Sequence, residues 1–264
     1  MTTRIVVFGA AGRLGSAIVR AAQTTPGVAI AAALVRKGAV LAEAGMHPAQ
    51  ALAYDSELRA GVEADVILEA TGAAGFDAAL ALALKRRLAL VSGSTGLDAT
   101  QRTALATAAK GIPVLCAANF SLGAALLARL ARMAAATLGR DFEVEILETH
   151  HRAKRDAPSG TAIMLGEAVA SERGTTLADA GRLGRGPDDP PPSRGEIGIA
   201  SLRLGDVVGE HTVSFAGPGE RIELTHRATT RDVFAIGALR AAQWVRGRPA
   251  GLYSMDDVLD PASR

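Results

Sequence analysis

The sequence predicts an α/β protein built as a parallel sheet covered by helices, followed by an α+β domain with an open mixed sheet. Within the first 120 residues, short continuous apolar runs alternate with segments of helical pattern, which is typical of parallel strands buried on both faces. From Phe142 onward, apolar residues alternate with polar ones, as in a strand with one face in water. The length of 264 residues is sufficient for two domains.

The elements of the first domain follow one another as strand, loop and helix. Strands are predicted at residues 4–8, 28–35, 66–70, 88–92 and 112–116, and helices at 14–23, 76–85 and 98–109. A helix at 234–245 is expected to pack back on this domain, and the chain then ends in a short tail. The first domain is therefore predicted to comprise residues 1–120, completed by 232–264.

The second domain is predicted to comprise residues 121–231. Its later strands are expected at 195–203, 210–215 and 221–226, with a hairpin turn at 217–219, and a helix is expected at 162–170. The stretch 181–194 is rich in glycine, proline and charge, which predicts a mobile exposed loop.

Composition and charge argue against several functional classes. Basic and acidic residues nearly balance, with a net charge of +2, and aromatic residues make up 3% of the chain, whereas a nucleic-acid binder is expected to show a basic stripe and stacking rings. The apolar N-terminal run is short and leads into a glycine loop with Arg13, unlike a signal peptide. Cys116 is the single cysteine, so a reducing cytoplasm is the expected location, without a nucleic-acid or membrane partner.

A glycine-rich loop follows the first strand. It reads Gly9-Ala10-Ala11-Gly12-Arg13-Leu14-Gly15, with the spacing G-x-x-G-x-x-G, and it stands immediately before a helix. Glycine lets backbone amides approach a pyrophosphate, and the helix dipole favours the negative charge. The loop predicts a dinucleotide site, although a tight strand-to-helix turn without a nucleotide has the same pattern.

The end of the second strand predicts a preference for NADPH, with NADH also possible. Folds that prefer NADH normally place an acid there to hold the ribose hydroxyls. This chain instead has Leu34-Val35-Arg36-Lys37, and the two cations would attract a 2′-phosphate. The alternative is an ordinary solvated strand end. Two further loops, 93–96 and 117–121, follow strands at the same sheet edge and could contact the nicotinamide half of the cofactor.

The segment 148–162, ETHHRAKRDAPSGTA, is the most informative part of the chain. It combines adjacent imidazoles, a cluster of cations, and Pro-Ser-Gly-Thr at the start of a helix. Ser159 or Thr161 can cap that helix, and the amides of Gly160 and Thr161 form an anion site. Lys154 adds a positive charge, and an imidazole can donate or accept a proton. The segment predicts a site that binds a carboxylate and transfers a proton.

The histidines of this sequence have two other possible roles. Adjacent histidines could ligate a metal, but neighbours in an extended segment point to opposite sides, and no third or fourth ligand clusters at metal spacing. We therefore expect no metal site. His211 and His226 fall in predicted strands and are expected to be structural.

The chain resembles the bacterial 4-hydroxy-tetrahydrodipicolinate reductases, formerly called dihydrodipicolinate reductases, over nearly its whole length. The motifs that carry the resemblance are GAAGRLG at Gly9, GSTG at Gly93, AANFS at Ala117, ETHHRAKRDAPSGTA at Glu148 and VGEHTVSFAGPGERIELTHRATTRDVFAIGAL from Val208.

The resemblance implies an N-terminal Rossmann-type domain and a central α+β domain whose sheet builds a homotetramer. It implies that NADH or NADPH reduces a cyclic imine-type dicarboxylate to tetrahydrodipicolinate in the lysine and diaminopimelate pathway. It also implies that His150 is the proton donor or acceptor and Lys154 the second catalytic residue. The substrate carboxylates would be bound around the start of the 162–170 helix, by His151, Lys154, Ser159, Gly160 and Thr161.

The implied cofactor residues lie in the loops that follow the strands of the first domain. They are Gly9, Ala10, Ala11, Gly12, Arg13, Leu14, Arg36, Gly93, Ser94, Thr95, Ala117, Ala118, Asn119 and Phe120. The sequence departs from the family at Val35, where members that accept NADH often carry an acid.

Two rival functions are compatible with the same domain plan. One is a different NADPH-dependent reductase or amino-acid dehydrogenase, and the other is a non-catalytic module that senses NADP(H). His150 and Lys154 argue against the sensor, which has no use for a proton donor beside an anion site.

Overall fold

The computed structural model describes residues 1–36 and 54–260. These residues divide into two compact units. The first comprises the chain up to Leu122 together with the residues from Asp232 onward, and the second comprises Gly123–Arg231.

Strands and helices are numbered separately in chain order. The strands are β1 (Thr3–Phe8), β2 (Val28–Leu34), β3 (Tyr54–Asp55), β4 (Val66–Glu69), β5 (Ala89–Ser92), β6 (Pro113–Cys116), β7 (Glu143–His150), β8 (Gly181–Leu183), β9 (Ile197–Arg203), β10 (Gly209–Gly217), β11 (Glu220–Ala228) and β12 (Gly251–Tyr253). The helices are α1 (Arg13–Ala22), α2 (Ala73–Arg86), α3 (Ala99–Ala108), α4 (Leu122–Leu138), α5 (Gly160–Glu172), α6 (Leu177–Ala180), α7 (Asp232–Val245) and α8 (Met255–Leu259).

The first unit is a seven-stranded parallel sheet in the order β12-β6-β5-β4-β1-β2-β3. Its central strands β4 and β5 are buried at every residue, as expected for strands covered on both faces. The predicted parallel, Rossmann-type sheet is confirmed. The predicted strands and helices of this unit agree with the structure to within three residues at their ends.

The C-terminal segment contains more structure than a tail. Residues 251–253 form β12, which pairs in parallel with β6 and extends the sheet, and α8 follows. A three-residue strand is too short to show a periodic pattern, so its pairing with β6 is what defines it. The expected packing of α7 in the first unit is confirmed, because a Cβ on Gly237 would lie 1.8 Å from the Phe120 carbonyl oxygen.

The second unit is a five-stranded mixed sheet in the order β11-β10-β7-β9-β8. β10 runs antiparallel to β7 and β11, while β9 runs parallel to β7 and β8. Val144 and Ile146 are buried in a core with residues of α4 and α5, and Glu143, Glu145 and Leu147 are exposed on the other face. The predicted open mixed sheet is confirmed.

The prediction of a loop over 181–194 is wrong at its start. Residues 181–183 form β8, which pairs with β9 at the sheet edge. The rest of the segment is exposed as expected, and Arg185 forms ion pairs with Glu145 and Glu196. Among the helices that the structure describes, none is long and apolar enough to cross a membrane.

Candidate active site

The glycine loop of the first unit leads directly into α1. The N-terminal cap of α1 is Gly12, and the first helical hydrogen bond runs from the Ser16 amide to the Gly12 carbonyl (2.8 Å). The amides of Arg13 and Leu14 precede that bond, so they can point at an anion. The amides of Gly9 and Ala10 instead donate to the Leu34 carbonyl (2.9 and 3.0 Å), which fastens the loop to β2.

Two glycines of this loop have no room for a side chain. Gly9 has φ +89°, a left-handed conformation that favours glycine, and a Cβ on Gly15 would lie 2.2 Å from the Gly9 carbonyl oxygen. The helix therefore packs directly on the loop backbone, which is the role of the third glycine in dinucleotide-binding turns.

The structure brings three predicted cofactor loops together. A Cβ on Gly93 would lie 2.8 Å from Cε2 of Phe120 and 3.5 Å from Cδ2 of Leu14. The loops after β1, β5 and β6 therefore meet at the carboxyl edge of the sheet, where open α/β sheets bind ligands. The ring of Phe120 is buried and packs between these loops.

Glu69 also lies at this edge, although no sequence motif predicted it. Its fully buried carboxylate accepts hydrogen bonds from the amide and hydroxyl of Thr71 (both 2.5 Å), from Ser92 Oγ (2.7 Å) and from Ser94 Oγ (2.8 Å). It therefore joins the loops after β4 and β5. The sequence signal for this role was the position of Glu69 as the one acid at the end of the apolar strand β4.

The remaining predicted cofactor residues lie near the same loops. Arg36 is exposed after β2, while Lys37 lies outside the described residues. The Ala117 amide donates to the Ser92 carbonyl (3.0 Å), and Oδ1 of Asn119 accepts a hydrogen bond from the Ser121 amide (2.8 Å).

In the second unit, β7 places Glu148 and His150 on one face, because residues two apart in a strand point to the same side. Both side chains are buried, and Nδ1 of His150 lies 2.5 Å from Oε2 of Glu148. The Glu148 carboxylate also accepts two bonds from Arg203 (both 3.0 Å) and one from the Ser159 amide (3.2 Å). Neither Glu148 nor Arg203 was predicted as a site residue, although the spacing of two between Glu148 and His150 was a signal.

These contacts determine the protonation of the pair. Burial raises the pKa of Glu148, but hydrogen bonds from Arg203, Ser201 and His150 hold it below its usual range. Glu148 is therefore an ionised acceptor, and Nδ1 of His150 is the donor. Because Nδ1 is bonded to Glu148, Nε2 is the ring nitrogen of His150 that can exchange a proton. Burial lowers the pKa of His150, an effect that the bond to Glu148 partly offsets.

Helix α5 begins at this cluster. Ser159 Oγ accepts a bond from the Ala162 amide (3.1 Å), so its hydroxyl proton can be donated to Nε2 of His211 (3.1 Å). The amide of Ser159 is already bonded to Glu148, so its amide and its hydroxyl both have partners inside the protein. This argues against the predicted contact of Ser159 with substrate.

His211, which was expected to be structural, is buried beside His150. It is 4% exposed, and burial lowers its pKa to about 4, so its ring is neutral at neutral pH. The ring packs edge-on against that of His150, with centroids 5.2 Å apart.

The remaining predicted substrate residues belong to one segment of the second unit. Gly160 is exposed, and its amide and that of Thr161 precede the first helical hydrogen bond of α5. Nζ of Lys154 pairs with Asp156 (2.8 Å), and Nε2 of His151 lies 3.1 Å from Arg231 Nη2. Positive charge and helix amides are therefore concentrated where a carboxylate is expected to bind.

Over residues 1–36 and 54–260, no group of three or more histidine, cysteine or acidic side chains could hold a metal ion.

Comparisons with known proteins cover both units. The family model "Dihydrodipicolinate reductase, N-terminus" matches residues 3–120, and the model "Dihydrodipicolinate reductase, C-terminus" matches residues 123–259. The curated 4-hydroxy-tetrahydrodipicolinate reductases of Anaeromyxobacter dehalogenans and Myxococcus xanthus are 45% and 46% identical, with 97% of each chain covered.

Solved structures agree with these matches. A dipicolinate-bound dihydrodipicolinate reductase from Paenisporosarcina aligns with a TM-score of 0.79 and 26% identity, over 98% of this chain and 100% of that one. A diaminopimelate dehydrogenase of C. glutamicum, at 13% identity and a TM-score of 0.58 over 99% and 97% of the two chains, shares the fold alone. With both halves matched in order and relatives above 40% identity over almost the full length, the chain belongs to the 4-hydroxy-tetrahydrodipicolinate reductase family.

Proposed function

We propose that the protein catalyses the NAD(P)H-dependent reduction of 4-hydroxy-tetrahydrodipicolinate to tetrahydrodipicolinate, in which the hydroxyl group leaves as water and the ring takes up a hydride and a proton, a step of lysine and diaminopimelate biosynthesis. The observation that carries the proposal is the buried hydrogen bond between Glu148 and His150, set beside the N-terminus of α5 and Lys154. This cluster offers a proton donor next to an anion site, in a chain whose relatives carry this enzyme name.

The substrate is a dicarboxylate, and we assign its carboxylates to Lys154, His151 and the amides of Gly160 and Thr161. The start of a helix is the positive end of the helix dipole, which favours a carboxylate. Two held carboxylates fix the ring in one orientation, so that Nε2 of His150 can deliver a proton as the ring is reduced.

NAD(P)H would supply the hydride. The loops of the first unit fit such a cofactor, because the amides of Arg13 and Leu14 open α1 and Gly15 permits close packing on the loop. The neighbouring loops 93–95 and 117–120 would hold the nicotinamide half. We propose that NADPH is preferred, because exposed Arg36 follows β2 and Val35 stands where an acid would disfavour a 2′-phosphate.

We also propose that the open face of the second sheet joins copies of the chain into a homotetramer. Leu147 on β7 and Leu202 on β9 lie on this face and are 42% and 48% exposed. Apolar residues that are exposed together on a sheet face favour association. The molar mass by light scattering is expected to be about four times that of one chain and to fall in Leu147→Glu/Leu202→Glu, whereas a monomeric wild-type protein would contradict this assembly.

The experiment that tests the activity follows cofactor oxidation by the purified protein. The substrate is generated in situ from pyruvate and aspartate semialdehyde by the upstream synthase, and NADPH is compared with NADH. We expect His150→Gln to lower kcat by about 10²- to 10⁴-fold with little change in KM, since it removes general acid catalysis. Lys154→Ala should impair both kcat and KM, because it removes a carboxylate partner.

His226→Gln is the matched control, a histidine of β11 that we do not place in the site. It should retain wild-type kcat. If the wild-type protein oxidises neither cofactor in the presence of substrate, the proposed reaction is wrong. If His150→Gln retains kcat, His150 is not the proton donor.

A further inference from the structure

Arg203 ends β9 and is the register partner of His150 on the adjacent parallel strand β7. Its guanidinium donates through Nη1 and Nη2 to the two carboxylate oxygens of Glu148 (both 3.0 Å). The planar fork of arginine matches a carboxylate in this bidentate geometry, which lysine cannot reproduce. Arg203 therefore fixes the plane of the Glu148 carboxylate.

The same guanidinium also binds the loop that carries Lys154. Nε donates to the Lys154 carbonyl (3.2 Å) and Nη2 donates to the Asp156 carbonyl (2.5 Å). Main-chain carbonyls on both sides of residue 155 are thus held by one side chain. The position of the Lys154 backbone depends on Arg203 through these two bonds.

Glu148, whose carboxylate Arg203 holds in place, forms hydrogen bonds with two further groups. Its Oε2 accepts from Nδ1 of His150, and its Oε1 accepts from the amide of Ser159 at the start of α5. One ion pair, formed by buried Glu148 and half-buried Arg203, is therefore bonded to the proton donor, to the loop of the second catalytic residue and to the helix that would bind a carboxylate.

We infer that Glu148 and Arg203 are a positioning pair for the proposed reaction. Arg203 orients the Glu148 carboxylate and holds the loop that carries Lys154. Glu148 in turn orients the imidazole of His150 and keeps the proton of the neutral imidazole on Nδ1. Neither residue touches the reacting atoms in this assignment. The inference rests on the proposed function and adds to it the residues that align the two catalytic side chains.

The charges around His150 predict a pH effect that a purely structural role would not produce. His150 is faced by Glu148 from its own strand, by Arg203 from β9, by neutral His211 from β10 and by Lys154 from the loop. Of these, only Glu148 raises the pKa of His150. If His150 must be protonated to act, kcat falls as the pH rises through its pKa, and removing the Glu148 charge should move that decline to lower pH.

The test measures kcat, KM and the pH profile of kcat for Glu148→Gln, Glu148→Asp and Arg203→Lys. We expect Glu148→Gln to lower kcat by about 10- to 100-fold with little change in KM, and to move the decline at high pH down by about one pH unit. Glu148→Asp retains the charge, so it should keep the wild-type position of this decline while losing part of kcat. Arg203→Lys releases the Lys154 loop and should therefore raise KM as well as lower kcat.

The matched control is Arg185→Lys, because Arg185 also pairs with two carboxylates of the second unit, those of Glu145 and Glu196. It should behave as the wild-type protein does. The inference is overturned if Glu148→Gln and Arg203→Lys retain wild-type kcat, KM and pH profile.

Nitrogen NMR of the wild-type protein provides a readout that needs neither a variant nor turnover. The neutral His150 ring should carry its proton on Nδ1, and a ring protonated on Nε2 would overturn the inference even if the variants fail to fold. Absence of turnover in the wild-type protein would count against the proposed function instead, and the tautomer would still decide the pairing.

Discussion

Gly209 lies against the Nε2 edge of the His150 ring. A Cβ placed on Gly209 would be 3.0 Å from Nε2 and 3.3 Å from Cδ2 of that imidazole. Because Nδ1 is bonded to Glu148, Nε2 is the atom we propose for proton transfer. The missing side chain at the start of β10 therefore keeps this edge of the ring accessible.

Gly209→Ala is expected to lower kcat by about 10- to 100-fold, because a methyl group beside Nε2 displaces either the imidazole or the substrate ring. The measurement is steady-state turnover together with thermal unfolding, which shows whether the variant remains folded. Gly186→Ala is the control, since a Cβ there would meet only Asp189 Oδ2 at 3.8 Å. An unchanged kcat for Gly209→Ala would show that Nε2 does not face the substrate.

Arg36→Ala is expected to weaken the use of NADPH far more than that of NADH. A charged hydrogen bond to the 2′-phosphate contributes about 1.5–3 kcal/mol, so kcat/KM for NADPH should fall by about 10- to 100-fold. The value for NADH should stay within about twofold, since NADH has no such phosphate. Equal losses with both cofactors would refute the role of Arg36, and Arg20→Ala on α1 serves as the control.

Asp156→Asn is expected to lower KM for the substrate by about two- to fivefold, the range of an exposed ion pair. The hydrogen bond from Lys154 holds the pKa of Asp156 below its usual range, so Asp156 is ionised at neutral pH and competes with a substrate carboxylate for Lys154. The difference from wild type should shrink at high salt. A higher KM in the variant would mean that Asp156 orients Lys154 instead.

His211 should make the protein less stable in acid. Its pKa is about 4 in the folded state and near 6.5 when the chain is unfolded, so the unfolded chain binds the extra proton first as the pH falls. Its contribution to the free energy of unfolding is complete above pH 6.5 and is lost as the pH falls towards 4. The loss is on the order of 3 kcal/mol.

Urea unfolding across this pH range compares wild type with His211→Gln, whose side chain does not ionise. The variant should lose less stability than the wild-type protein on acidification, while the other ionisable groups contribute equally to both. Parallel pH dependence of the two proteins would contradict the buried, neutral state of His211.

Much of the fold was predictable because hydrophobic periodicity is a local property of the sequence. The wholly apolar runs at β4 and β5 predict parallel strands, and alternation from Phe142 predicts a sheet with one exposed face. The elements that were missed include α4, β3, α6 and α8, and also β8 and β12, which have three residues each and owe their existence to pairing with β9 and β6. Such short segments carry no periodicity of their own.

The same division applies to the candidate site. His150, Lys154 and the start of α5 fall within one short segment, so their proximity could be predicted. Arg203 lies 55 residues after Glu148 and reaches it only through the pairing of β7 and β9. Ser159 looked like a ligand from its place in the segment, but tertiary contacts engage both of its donors.

The sequence by itself determined the order of the elements, the glycine loop, the cation after β2 and the histidine segment, because each depends on residues close together in the chain. Tertiary structure alone decided which polar groups form hydrogen bonds within the protein. It buried Glu69 and Glu148, neutralised His211, and committed Nδ1 of His150 to Glu148 so that Nε2 remains for proton transfer. The physical reason is that desolvation and hydrogen-bond partners come from strands and loops distant in sequence, and they set both protonation and orientation.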